Sequence, residues 1–405
     1  MKTLILLTTL LATFAANAQT FHDLGGDGDV AKVSESGRWA VVHNGNDCEV
    51  IDLAATPPTT TTVAIPAART LLECRQIQDL ASGSWGLVAN VYETIPFLPE
   101  TYYRTAVDPW LQMAAGVNAR TGGLPKQSTA PHDIAFAGQG FDTATSRSLP
   151  LWNLTGTPEF VDSTASVDIQ TGAWESVTES GSIAVGWRTF PLLGLATPLF
   201  GFGDGSTLPI VSVSSQTSGT FLFDVIDAAP PMDFVAVGYA EVIREVDKNG
   251  TVPIFGTVDD AYMYPGFTDR PTWLTAIDGT TGPCESRALT IGHDFMAGGE
   301  SCGIAVLWNG DVPFAVDRQI FPHRLDRPLA GSSFDGVVPT GWVLEAVTDV
   351  ALDTDVYVGR GTFNGTPANF ALDMQAIPVP EPSVPMTLAV GLFCLIAVGL
   401  ASKRF

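Results

Sequence analysis

Val33-Ser34-Glu35-Ser36-Gly37 followed by Trp39-Ala40-Val41-Val42 is matched by Val177-Thr178-Glu179-Ser180-Gly181 followed by Ile183-Ala184-Val185-Gly186. Each copy is a Ser-Gly turn leading into a short apolar run bounded by turn residues, which reads as a β-strand. Weaker copies stand at Leu80-Ala81-Ser82-Gly83, His132-Asp133-Ile134-Ala135-Phe136, Met232 to Ala236, Ala288 to Ala297, and Val347 to Val350 followed by Val356 to Gly359. From first to last they advance by about 53 residues per unit, close to the ~40–50 of a four-stranded propeller blade. One such unit cannot bury both of its faces, whereas radial stacking hides them and protects the sheet edges. The expectation is an all-β, propeller-like array of short antiparallel sheets with about 6–7 blades. The alternative is β-sandwich domains whose strands merely look alike.

Composition agrees. Among 405 residues there are 40 Gly and 28 Pro, which favours turns over long helices. The 45% hydrophobic content is too high for a disordered chain. Acids outnumber bases 43 to 20, for a net charge of −23, so a nucleic-acid partner is not expected. Lys248-Asn249-Gly250-Thr251 and Trp308-Asn309-Gly310-Asp311 are expected to be tight hairpin turns. Tyr92 to Thr129 breaks the strand pattern, and a short helix is expected around Ala106 to Val117.

The two ends read as sorting segments. Residues 1–18 carry Lys2, an apolar run from Leu4 to Ala16 and the small-x-small site Ala16-Asn17-Ala18, the layout of a signal peptide. The body is then 19–376, and 377–405 form a tail. There Val379-Pro380-Glu381-Pro382-Ser383 precedes an apolar run of 16 residues, Met386 to Ala401, ending in Lys403 and Arg404. That run reads as a transmembrane helix with its basic end on the cytoplasmic side. Neither 1–18 nor 383–405 contains an acid, so the negative charge belongs to the body.

The order Pro-Glu-Pro, apolar helix, basic terminus resembles the PEP-CTERM sorting signal of Gram-negative envelope proteins. The resemblance implies processing by an exosortase, an integral-membrane cysteine protease, and inner-membrane anchoring before it. The protein would then reach the cell surface or the extracellular space. The family's tail often ends in several Arg, whereas this one has Lys403 and Arg404 alone. A second likeness lies in the body. Phe21-His22-Asp23-Leu24-Gly25-Gly26, then Ala31 to Gly37, is similar to the HAF-type extracellular repeat. Ala346 to Gly359 and Pro367 to Leu372 look like its closing unit. That likeness implies an exported repeat protein without established catalytic residues.

Cys48, Cys74, Cys284 and Cys302 lie in the exported body, an even count that permits disulfides in an oxidising compartment. Three connectivities are open, and the local one pairs Cys48 with Cys74 and Cys284 with Cys302. Cys394 reads as a small apolar residue of the tail helix.

Candidate chemistry is sparse. Gly299-Glu300-Ser301-Cys302-Gly303 matches a G-x-S-x-G nucleophile elbow, but a strand follows where that motif needs a helix, so a hairpin turn is expected. The pairs His22-Asp23, His132-Asp133 and His293-Asp294 each fall beside a repeat-like turn and read as polar turn residues. Asp23, Asp27 and Asp29, set among Gly25, Gly26 and Gly28, form an oxygen-rich loop of the kind that holds calcium. Asp353 and Asp355 are a lesser case. No other cofactor is expected. Trp110, Trp152, Trp174 and Trp342 suit either sugar stacking or the core. The expected function is a non-enzymatic cell-surface or extracellular-matrix protein binding polysaccharide or an envelope protein. A secreted hydrolase or lyase on a propeller scaffold is the alternative.

Overall fold

The computed structural model describes residues 20–373 except 94–98, 114–117, 124–135, 143–146, 154–158, 161–170, 179, 181, 190–195, 203–206, 210–216, 229–232, 248–253, 267–271, 278–283, 294, 310–321 and 326–337. The signal segment and the sorting tail therefore lie outside the described residues. Among those described there is no helix long and apolar enough to cross a membrane.

Among the described residues twenty-eight strands follow one another. β1 (Thr20–Gly25) pairs with the last strand of the chain and not with the strands that follow it. β2 (Lys32–Val33), β3 (Trp39–Asn44), β4 (Asp47–Asp52) and β5 (Thr59–Ala64) form one antiparallel meander. β6 (Arg69–Asp79), β7 (Trp85–Glu93), β8 (Pro99–Thr105) and β9 (Leu111–Met113) form the next. It is followed by β10 (Asn118–Gly123), β11 (Phe136–Asp142), β12 (Arg147–Asn153) and β13 (Glu159–Phe160). Then come β14 (Thr171–Val177), β15 (Ile183–Thr189), β16 (Ala196–Phe202) and β17 (Thr207–Pro209), and after them β18 (Thr217–Asp227), β19 (Phe234–Asp247), β20 (Ile254–Pro265) and β21 (Thr272–Trp273). These two meanders count as one eight-stranded sheet only because Ala196 and Gly219 make a single parallel bridge. β22 (Ser286–Ile291), β23 (Met296–Ser301), β24 (Ile304–Asn309) and β25 (Pro322–Arg324) follow. The last three strands are β26 (Trp342–Val350), β27 (Val356–Phe363) and β28 (Thr366–Asp373), completed by β1.

The first strands of successive meanders touch in a closed cycle: β2, β6, β10, β14, β18, β22, β26 and back to β2. Sheets radiating from a ring of inner strands are a β-propeller arrangement, not a sandwich. Ring closure mixes the two ends of the body. β1 runs antiparallel to β28, with Thr20 opposite Asp373 and Phe21 opposite Leu372. The opening Asp-Leu-Gly-Gly segment and the closing unit thus share one sheet.

Stacking explains the unbroken apolar runs. In β3, Ala40 and Val42 pack toward β27 and β28 with Val358 and Ala371, whereas Val41 packs toward the next sheet with Leu87 and Ala89. Both faces are buried, so the strand cannot alternate with polar residues. The glycine of the Ala-Val-Gly strand also has a cause. Inner strands β14 and β18 carry β-bulges at Trp174/Ser176 and Leu222/Asp224. A Cβ on Gly186 or Gly238 would overlap the carbonyl oxygen that each bulge pushes across, of Ala173 and Phe221 respectively.

The repeated Ser-Gly segments are the turns between first and second strands. Their first N–H closes onto a carbonyl at or just before the start of strand two: Ser34 to Trp39, Leu80 to Ser84, Thr178 to Ile183, Ala228 to Asp233, Gly292 to Met296 and Ala351 to Val356. The copy at His132 lies outside the described residues.

Both local disulfides form. Cys48–Cys74 joins β4 to β6 and so crosslinks two neighbouring sheets, while Cys284–Cys302 ties a residue two positions before the start of β22 to the β23–β24 turn.

Two expectations need correction. No helix occupies 106–113: a bend follows β8 and leads into β9, because Thr105 Oγ1 accepts the Val107 and Asp108 N–H groups and turns the chain at once. The connection after Asn309 is not a two-residue hairpin, since β24 ends there and its partner begins at Pro322; Gly310 itself lies outside the described residues. β19 and β20 are paired, with Asp247 opposite Ile254, and the expected Asn249-Gly250 turn between them lies outside the described residues. Tight Asn-Gly turns stand elsewhere. Asn364 and Gly365, both at positive φ, connect β27 to β28 with Phe363 opposite Thr366.

Candidate metal centre and the inner ring

Carboxylates on the inner strands hold neighbouring sheets together. Asp224 on β18 accepts from the Ser176 hydroxyl at 2.7 Å, the Thr290 hydroxyl at 3.0 Å and the Ile291 N–H at 3.0 Å. It thereby links β14, β18 and β22. Asp349 on β26 accepts the Val33 N–H at 3.0 Å, joining the last sheet to the first meander. Arg75 on β6 reaches β14, donating to the Glu175 carbonyl at 2.6 Å, and Trp187 Nε1 donates to the Glu175 carboxylate at 3.0 Å. These acids accept fixed donors, which is positional work.

A second set of clamps sits at the repeat turns. Ser36 donates its N–H and hydroxyl to Asp79 of the next sheet, at 2.8 and 2.9 Å. Ser180 repeats this with Asp227, at 2.8 and 3.0 Å. The serine visible in both copies of the motif thus acts between sheets, which its sequence spacing did not show.

The loop between β1 and β2 holds the clearest ligand-competent group. Asp27, Asp29 and His43 each offer one atom, all within 4.8 Å of one another. Gly25, Gly26 and Gly28 have positive φ and fold the loop back over β3. A Cβ on Gly26 would strike the Asn369 side chain and the His43 carbonyl, so glycine is required for this approach. His43 Nε2 lies 2.9 Å from the Gly45 carbonyl, and Nδ1 lies 3.4 Å from Asp29 Oδ2 and 3.9 Å from Asp27 Oδ2. Beside the group is a cavity of about 120 Å³ lined by Asp29, Val30, His43, Leu72, Glu73 and Cys74.

The calcium expectation is thereby altered. Asp27 and Asp29 come together as expected, but Asp23 is outside the group and uses its Oδ1 to accept the Gly25 N–H at 2.9 Å. His43 takes the third place, because β3 is the strand over which the loop folds. Its period-2 position beyond Val41 was the signal available in sequence. Glu35, His293 and Asp353 form another three-residue group at the turns of three adjacent sheets.

Other sequence candidates resolve as structure. Ser301 ends β23, and Cys302-Gly303 is a two-residue hairpin turn to β24 with both residues at positive φ. The Ser301 hydroxyl is buried and accepts the Ile277 N–H at 3.0 Å. Trp174 is a core residue at 1% exposure, and Trp110 donates to the Ala64 carbonyl. Trp342 packs edge-on to Phe21 with centroids 5.0 Å apart. The side chain of Trp152 lies outside the described residues, as do His132, Asp133 and Asp294.

His22-Asp23 lies within β1 and not in a turn, contrary to expectation, because this segment is drawn into the ring closure. Burial lowers the His22 pKa from its usual 6.5, and the Asp373 charge opposes that only in part. The unfolded chain therefore binds this proton first as pH falls. Stability is complete above pH 6.5 and declines below it. Denaturation midpoints of wild type should drop between pH 7.5 and 5.5, and His22→Gln should lessen the drop. An equal drop in the variant would remove His22 as the cause.

No protein-family model matches the chain, and no curated protein matches it. Among solved structures it is similar to the β-propeller domain of the Trilobed protease from Pyrococcus furiosus, described as having an open velcro topology. Identity is 10% and the TM-score 0.41, covering 89% of this chain and 99% of that one. It is similar also to Trypanosoma rangeli sialidase in complex with 2,3-difluorosialic acid, at 10% identity and TM-score 0.41. There 89% of this chain aligns with 59% of the sialidase chain, so the match spans well under two thirds of that enzyme.

Proposed function

We propose that this is an exported, seven-bladed propeller that acts by binding, at the cell surface or in the extracellular matrix of a Gram-negative bacterium. In this reading residues 1–18 direct export, the tail anchors the chain in the inner membrane, and an exosortase-type protease releases it after recognising Val379 to Pro382. The ligand is an extracellular polysaccharide or an envelope protein, bound by loops of one face. The observation that carries the reading is the engagement of the inner-ring acids: Asp224, Asp349 and Glu175 each accept a fixed neighbouring donor. A body built this way is a rigid frame for loops. Two disulfides support an oxidising destination.

The test has two arms. Deleting Pro380-Glu381-Pro382 should leave the unprocessed chain in the inner-membrane fraction, and unchanged processing would defeat the sorting claim. A glycan array probed with the released protein, with and without calcium, should show selective binding. Turnover of an arrayed glycan would favour the hydrolase or lyase instead.

A further inference from the structure

We propose that Asp27, Asp29 and His43 form a site for a transition-metal dication of the zinc class, not for calcium. This assignment is independent of the sorting and binding reading above.

The donor set points first to the metal. Calcium takes six to eight oxygens, whereas an imidazole nitrogen with two carboxylates suits zinc and its neighbours. His43 is prepared for ligation. Nε2 lies 2.9 Å from the Gly45 carbonyl, to which it can only donate, so Nδ1, beside the carboxylates, is the nitrogen left to ligate a cation. A backbone carbonyl holding the far nitrogen is the usual outer-shell partner of a metal-bound histidine.

The spacing also fits. Ligands about 2.1 Å from a tetrahedral zinc lie about 3.4 Å apart. Nδ1 lies 3.4 Å from Asp29 Oδ2 and 3.9 Å from Asp27 Oδ2. Two carboxylates and a neutral imidazole balance the charge of the ion.

Two further observations bear on the same loop. Asn369 is fully buried, its Nδ2 donates to the Asp29 carbonyl, and its Oδ1 has no hydrogen-bond partner. That oxygen lies against Gly26, within the loop that carries both aspartates. An unpaired buried acceptor there adds negative potential, which a bound dication relieves. The neighbouring cavity of about 120 Å³ has Asp29 and His43 in its lining, which leaves a fourth coordination position room for water or a small anionic ligand.

The experiment uses the full chain, stripped with chelator and titrated calorimetrically with zinc chloride and, separately, calcium chloride. Cobalt absorption reads the geometry. The expected result is one zinc per chain, no calcium heat at this site, and tetrahedral cobalt bands. His43→Ala and Asp29→Asn should each lower zinc affinity at least tenfold, while His293→Ala, in the other three-residue group, should not. Thermal melting of each stripped variant tests its folding. Should His43→Ala fail to fold, Asp27→Asn at the exposed end of the loop serves in its place. Zinc uptake unchanged in a folded Asp27→Asn/Asp29→Asn chain would overturn the assignment, and so would calcium binding in preference to zinc.

Discussion

Deleting Thr20–Gly25 is expected to abolish cooperative unfolding of the whole body. β1 is the fourth strand of the sheet that closes the ring, paired along β28 from Thr20 to Gly25. Its Phe21 stacks on Phe370 at 6.2 Å and meets Trp342 edge-on, while Leu24 is buried in the core between the closing sheet and the first meander. Losing buried Leu24 alone removes about 1.5–3 kcal/mol of apolar burial, and half-buried Phe21 adds to it. The deletion also strips a ladder of hydrogen bonds and bares the edge of β28, an aggregation template. Against a typical total stability of about 5–15 kcal/mol, that is enough to unfold or precipitate the protein. Leu24→Ala offers a graded version, with an expected loss of about 2–4 kcal/mol. Calorimetric melting checks both. A deletion variant that stays soluble and melts in one transition near the wild-type temperature would show that β1 is not the closure.

Asp224→Ala should cost about 3 kcal/mol in denaturant titration, a large effect for one side chain. The carboxylate accepts three donors from two neighbouring sheets, and Thr290 and Ile291 are buried to at least 99%. Alanine leaves the buried Ile291 N–H without its acceptor and the Thr290 hydroxyl with only Asp349 at 3.5 Å, away from water where a lost hydrogen bond costs most. Asp224→Asn retains one oxygen but turns an N–H toward one of the same donors, so it should lose less than alanine and more than nothing. If both variants keep wild-type stability while ligand turnover disappears, the residue belongs to a catalytic set and the scaffold reading fails.

The strands and turns were legible because they are local. Trp39-Ala40-Val41-Val42 shows an apolar run with both faces covered, and Ser36-Gly37 shows the turn before it; the recurrence of that pair then implied radial stacking. Of the three connectivities the cysteine positions leave open, the structure takes the local one, Cys48–Cys74 and Cys284–Cys302. The expectations that failed were those in which a local signal met a distant partner. His22-Asp23 reads as a turn but is drawn into the ring closure by a strand some 350 residues away. Asn309-Gly310 has the chemistry of a tight turn, yet β24 finds its partner only at Pro322.

By itself the sequence determined the all-β character, the repeating unit and the acidic body, since strand period, turn residues and charge are properties of neighbouring positions. Only the tertiary structure decided what the charged side chains do. Asp224, Asp349 and the Ser36–Asp79 and Ser180–Asp227 clamps act between sheets, and Asp27 and Asp29 meet His43 instead of Asp23. The physical reason is range. A hydrogen bond or a ligand set needs atoms within about 3 Å, and in a closed ring that distance is set by how sheets stack and where the ends join.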